Sequence, residues 1–155
     1  MRKTYTDLVN ECLPHIHELF PWDLVEERAN GKKLLLVDVS ETQEYTRYHI
    51  PDSINVPRGI LEAACDWDYD ETVPALARNR DTAIIVICRS GKRSALAADT
   101  LQQMGFSNVR SLKTGLRGWN DYDQPLVDGN GQPVDADDAD EIMTTTLRPE
   151  QISPV

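Results

Sequence analysis

The sequence predicts a parallel α/β sheet with helices on both faces, and three observations carry the prediction. Residues 34–39 and 82–87 are apolar runs, the second rich in β-branched side chains, which suits strands buried on both faces. Residues 95–104 are good helix formers, with Ala97, Leu101 and Met104 spaced i, i+4, i+7 as one apolar stripe. Buried strands and amphipathic helices alternate along the chain, the pattern of strand–helix–strand units.

The elements follow in order. In residues 1–20, Leu8, Val9, Cys12, Leu13 and Ile16 keep helical spacing, and Pro14 should break or kink the run. This segment reads as an N-terminal helical extension. His15 and His17 are two apart and cannot share a helix face, so they make a poor metal pair. A short helix from Pro21 to Arg28 closes at Asn30-Gly31. Residues 33–39 form the first buried strand, with Asp38 at its end. That carboxylate either orients the active loop that follows residues 82–87 or caps the helix starting near Glu41. After the helix of residues 41–48, His49-Ile50-Pro51-Asp52 makes a turn, and residues 53–56 form a short strand ended by Pro57. Arg58 follows that strand's carboxyl end, where it is a secondary candidate for substrate contact.

Residues 60–80 read as helix with an acidic, aromatic interruption from Asp66 to Glu71. Its alternating carboxylates suggest calcium, but an EF-hand loop from Asp66 needs Gly where Glu71 stands and Glu where Ala77 stands. The Asp128-Gly129-Asn130-Gly131 stretch fails the same test, so no metal site is expected. The second buried strand, 82–87, leads through a loop into the helix that Gly105 ends. Residues 108–112 form the last strand, and residues 113–119 turn into a final short helix. From residue 127 the character changes, with six carboxylates between Asp128 and Glu141 and no basic residue before Arg148. Residues 127–155 therefore read as an acidic tail, mobile or loosely docked.

At 155 residues the chain has enough length for one core, and no stretch approaches the apolar length of a membrane span. Its start lacks the apolar region of a secretory signal, so a soluble, cytoplasmic protein is expected. The three cysteines, Cys12, Cys65 and Cys88, form no paired framework and fit a reducing compartment. A net charge of −10 argues against nucleic acid as a partner.

Against that acidic background stands Cys88-Arg89-Ser90-Gly91-Lys92-Arg93-Ser94, between the second buried strand and its helix. In open α/β sheets, ligands bind at the carboxyl ends of the strands. Free N–H groups at a helix start cradle anions, and Gly91 gives the loop the freedom to converge them as a nest. The same field, with Arg89, Lys92 and Arg93 beside it, favours a thiolate nucleophile facing an anionic substrate. Cys88 is the candidate nucleophile, and residues 89–94 are its substrate-binding loop.

These residues resemble the active-site loop of single-domain rhodaneses, which are sulfurtransferases. Residues 34–39 resemble the family's opening strand. Glu44 followed by His49-Ile50-Pro51-Asp52-Ser53-Ile54-Asn55-Val56-Pro57 resembles its most recognisable sequence. Gly105-Phe106, Val109, Leu112 to Gly115 and Gly118-Trp119 resemble its closing strand and turn. The similarity covers about residues 20–126 and implies a rhodanese-like domain over 21–126. It also implies that His49 is structural. Rhodanese-fold phosphatases carry Cys-x5-Arg; here the arginines stand at Cys+1 and Cys+5, and Cys+6 is Ser94.

The resemblance implies ping-pong sulfur transfer through a Cys88 persulfide, with no metal or organic cofactor. A small anionic donor such as thiosulfate, or a persulfide, would supply sulfur to a thiol, a sulfur-carrier protein or cyanide. Two alternatives stay open: an oxyanion-processing enzyme of arsenate-reductase or phosphatase type, and a non-catalytic rhodanese-like binding module.

Overall fold

The computed structural model describes residues 1–154. Five parallel strands form one sheet in the order β1-β5-β4-β2-β3: β1 His17–Leu19, β2 Leu35–Asp38, β3 Ile54–Asn55, β4 Ile84–Ile87 and β5 Val109–Leu112. Side-chain alternation divides each strand between two cores. Val37, Val39, Ile84, Val86, Cys88 and Val109 face α1 (Tyr5–Cys12), α4 (Leu61–Ala64), α5 (Pro74–Ala77) and α6 (Lys92–Gln103). Leu36, Ile85, Ile87 and Leu112 face the other way, toward α2 (Pro21–Ala29), α7 (Gly115–Asp121) and α8 (Ala136–Met143). The remaining helix, α3 (Thr42–Arg47), links β2 to β3. The predicted fold class is the observed one, and β4, buried at all four positions, is the central strand.

Three expectations change on contact with the structure. The N-terminal extension is not wholly helical. Pro14 ends α1 in a single 3-10 turn, and His17–Leu19 then joins the sheet edge, pairing with Arg110, Ser111 and Leu112 of β5. A three-residue strand with one buried side chain carries too little periodicity to stand out from a helical run. Residues 60–80 form two single-turn helices rather than one interrupted helix. The acidic loop between them is tied down by Arg80, which pairs with Asp66 at 2.8 Å and stacks over Phe106 at 4.6 Å.

The third change concerns the acidic tail. Val127 pairs with both His49 and Pro133 in isolated bridges, and Asp135 caps α8 by accepting from the amides of Asp137 and Asp138. Ala139 and Met143 of α8 are fully buried in the core that holds Trp119 and Leu126. The composition suggested mobility because the carboxylates outnumber the apolar residues. The two buried positions are four apart, however, and make one narrow helix face that suffices for docking. The segment through Met143 thus packs on that core, as the docked alternative has it, and residue 155 lies outside the described residues.

Docking of α8 has a measurable consequence. Met143→Ala should lower unfolding free energy by ~2–5 kcal/mol in chemical denaturation, as for other buried methionine truncations. Ile152→Ala, at an exposed position, should stay within ~0.5 kcal/mol of the wild type. Equal midpoints for the two variants would show that α8 contributes no core.

Candidate active site

The site is built where β4 ends. Cys88 follows Ile87 directly and is fully buried, and α6 begins at Lys92. Gly91 precedes α6 with φ +90, a left-handed conformation that side chains resist. That turn folds the loop back over the sulfur. The Gly91 amide donates to Cys88 Sγ at 3.1 Å and the Ser94 amide at 3.3 Å. Ser94 Oγ lies 3.4 Å from Sγ and 2.7 Å from Ser111 Oγ on β5. Two backbone donors and a hydroxyl chain thus converge on one buried sulfur, an arrangement that stabilises negative charge there.

The loop is clamped from behind by the β5–α7 turn. Cys88 O accepts from the Leu116 amide at 2.9 Å, and Arg89 O accepts from the Arg117 amide at 3.0 Å. Close approach of the two backbones requires Gly115. It has φ +60, and a Cβ there would overlap the carbonyl oxygen of Cys88 and lie 2.7 Å from that of Arg89.

A second clamp reaches across from α3. Arg93 makes a bidentate pair with Glu44, at 2.8 and 2.9 Å, and Arg89 approaches the same carboxylate at 4.0 Å. Glu44 also accepts from the Glu41 amide at 3.0 Å, so one carboxylate joins the start of α3 to the start of α6. The Arg93 hydrogen bonds hold the Glu44 carboxyl below the usual glutamate range, and Glu44 in turn raises Arg93. Both partners are less than a third exposed, so the pair is poorly screened.

Of the residues singled out from sequence, Cys88, Gly91, Arg93 and Ser94 meet in these contacts. Ser90 and Lys92 lie exposed on the loop's outer side, and Arg89 is half-buried. Arg58 is turned away: its guanidinium binds Glu62 at 2.9 Å and Thr100 on the flank of α6 at 3.0 Å. Asp38 takes neither of its two expected roles. It accepts from the Ser40 amide at 2.9 Å, while Glu41 and not Asp38 precedes α3. Strand alternation points it with Leu36, away from the face that carries Cys88. His49 stacks on Tyr45 at 3.8 Å and bonds its carbonyl through Nδ1 at 2.7 Å, which fixes the α3–β3 turn.

Two participants escaped the sequence reading as site residues. Ser111 is a fully buried hydroxyl on a strand whose pattern reads as core, and only its polarity there could have flagged it. The partnership of Glu44 with Arg93 spans 49 positions and has no local signature.

The other two thiols sit in different surroundings. Burial pushes Cys65 up to about 11 and also raises Cys12, whose Sγ donates to the Val9 carbonyl. Among the described residues no group of three or more His, Cys, Asp or Glu is placed to hold a metal, and no helix is long and apolar enough to cross a membrane.

Fold and site together define a parallel α/β domain built around one cysteine in a backbone anion cradle. Residues 22–122 match the family model of the rhodanese-like domain, and the chain belongs to that family. A sulfurtransferase of Allochromatium vinosum is 27% identical over 116 residues, 75% of this chain and 99% of that protein. An adenylyltransferase and sulfurtransferase of Candida albicans is 35% identical over 101 residues, but these are 65% of this chain and only 23% of that longer protein. Among solved structures, a Rhodopseudomonas palustris protein of unknown function, described as a possible tyrosine phosphatase, superposes with a TM-score of 0.74. It is 27% identical, and the match covers 81% of this chain and 96% of that one.

Two predictions follow from the clamps and from Asp38. In a double-mutant cycle on stability, Arg93→Ala and Glu44→Gln should be strongly non-additive, with a coupling of ~1–3 kcal/mol; additivity would mean the pair does not hold the loop. Burial raises Asp38 from 3.8 to about 6 in the folded protein. A carboxyl raised on folding binds its proton more tightly in the native state, so its contribution is full below about pH 4 and lost as pH rises through about 6. Relative to Asp38→Asn, the wild type should lose stability across that window by on the order of 2–3 kcal/mol. A pH-independent difference between the two proteins would contradict this.

Proposed function

We propose that the protein is a sulfurtransferase that carries sulfane sulfur on Cys88. The observation that carries this reading is the convergence of the Gly91 and Ser94 amides on Cys88 Sγ. Donors fixed there hold charge on a thiolate and, one bond further out, on a persulfide. The relatives named sulfurtransferases support the same reading.

In the first half-reaction, Cys88 thiolate attacks the outer sulfur of thiosulfate. The new S–S bond forms as the old one breaks, and sulfite leaves with the electron pair. With a persulfide donor the leaving group is the donor's thiolate. In the second half-reaction, a thiol, a carrier-protein cysteine or cyanide attacks the terminal sulfur, and Cys88 thiolate leaves. No net oxidation occurs and no cofactor enters the balance. A phosphatase reading, raised by the description of the Rhodopseudomonas palustris protein, is disfavoured by this loop. Arg93 is fully engaged by Glu44, and position Cys+6 is Ser94 instead of an arginine that would hold phosphate.

Intact mass after thiosulfate treatment tests the reading. A gain of one sulfur atom, reversed by cyanide, is expected for the wild type and for Cys12→Ser and Cys65→Ser, and is absent in Cys88→Ser. Sulfur mapped to Cys12 or Cys65 with Cys88 untouched would overturn the assignment. Lys92 projects from the loop without an ion pair among the described residues, so Lys92→Ala should raise KM for thiosulfate several-fold with little change in kcat. An unchanged KM would remove Lys92 from substrate attraction.

A further inference from the structure

The face beside the thiol carries more than a small anion needs. Phe20 stacks on Trp22, with ring centroids 4.5 Å apart, and Trp22 meets the edge of Tyr122 at 5.9 Å. Trp22 is 50% exposed and Tyr122 39% exposed, so the cluster is a shelf and not part of a core. The ammonium of Lys113 lies 5.0 Å above the Phe20 ring. On the other side of the loop, Lys92 lies 5.8 Å above Tyr5, which is 49% exposed.

The shelf is fixed to the active loop. Lys113 lies just before α7, whose Leu116 and Arg117 amides hold Cys88 O and Arg89 O, and a Cβ on Gly91 would lie 3.2 Å from both Leu112 O and Thr114 N. Lys92 and Lys113 therefore flank Gly91, and Arg117 lies in the first turn of α7. None of these three cations joins an ion pair among the described residues, although carboxylates exceed cations by ten in the chain as a whole. Asp121 and Asp123 flank Tyr122 in the sequence and are exposed. Cys88 itself is fully buried, so a macromolecular thiol must reach it on an extended segment.

We infer that the shelf of Trp22, Tyr122, Phe20 and Lys113, continued by Lys92 over Tyr5, is the docking surface for an acidic protein that offers a cysteine thiol or persulfide on a protruding segment. Unpaired lysines attract that segment's carboxylates, and the exposed aromatic faces supply desolvated contact area of the kind that anchors interfaces. Thiosulfate is too small to use the shelf. The inference rests on the sulfur-transfer reading above and deepens it by naming the partner class.

The test uses two synthetic peptides, each with one cysteine, flanked in one by four glutamates and in the other by four glutamines. Their persulfides serve as donors, and rates of Cys88 persulfide formation are followed by mass spectrometry. At low ionic strength the acidic donor should react about tenfold faster, within the range of electrostatic steering. Added salt and Lys113→Glu should each abolish that advantage, and in Lys113→Glu turnover of thiosulfate with cyanide should stay within about twofold. Trp22→Ala should slow both peptide donors. Binding of the acidic peptide with its cysteine replaced by serine, read by fluorescence anisotropy, reports docking without chemistry and should weaken in Lys113→Glu. Equal rates and equal affinities for the two peptides, or an advantage that survives Lys113→Glu, would overturn the docking surface. A wild type that binds the acidic peptide selectively yet takes up no sulfur from thiosulfate or from either donor would instead overturn the sulfur-transfer reading.

Discussion

The convergence of two backbone amides on one buried sulfur is the constraint on which the rest of this structure depends. A cysteine fully removed from solvent can carry charge only if donors replace the lost water. Those donors come from the first residues of α6, and they face the sulfur only because Gly91 turns the chain through a left-handed conformation. The loop cannot hold that shape alone. The β5–α7 turn supports it from behind through Gly115, and the Glu44–Arg93 pair ties it across to α3. The sheet sets the stage by ending β4 at Ile87, so that Cys88 leaves the core at the carboxyl edge where the loop begins.

This division of labour changes the meaning of the three loop cations. Counted in the sequence they look equivalent, three positive charges around a thiol. In the fold they separate. Arg93 is an internal fastener with both guanidinium arms on Glu44, Arg89 lies within 4.0 Å of the same carboxylate, and Lys92 faces outward beside Tyr5. In the proposed reaction, attraction of the small anion therefore falls mainly to Lys92, with the backbone stabilising charge at the sulfur.

Much of this was legible in the chain. The apolar runs of β2 and β4, the glycine-containing cationic loop and the stripe of α6 have local signatures, and they point to the fold class and to the candidate nucleophile. What was not legible is long-range or short. Ser111 completes the hydroxyl chain to Cys88 from a strand that is adjacent only in the sheet. β1 is a three-residue edge strand, too short for periodicity to reveal. α8 docks through Ala139 and Met143, two side chains hidden among carboxylates. Asp38 and Arg58 follow strand ends, where functional residues gather, but alternation and a local ion pair direct them elsewhere.

The central claim is that the Gly91 and Ser94 amides hold the charge on the sulfur that Cys88 carries. Proton–nitrogen correlation spectra of the labelled protein, recorded before and after thiosulfate treatment, test it most directly. The account predicts that the largest shift changes fall on the Gly91 and Ser94 amides, as their acceptor becomes a persulfide, and that cyanide returns both to their starting positions. Uptake of sulfur on Cys88 with those two amides unmoved, and the largest changes elsewhere, would contradict it.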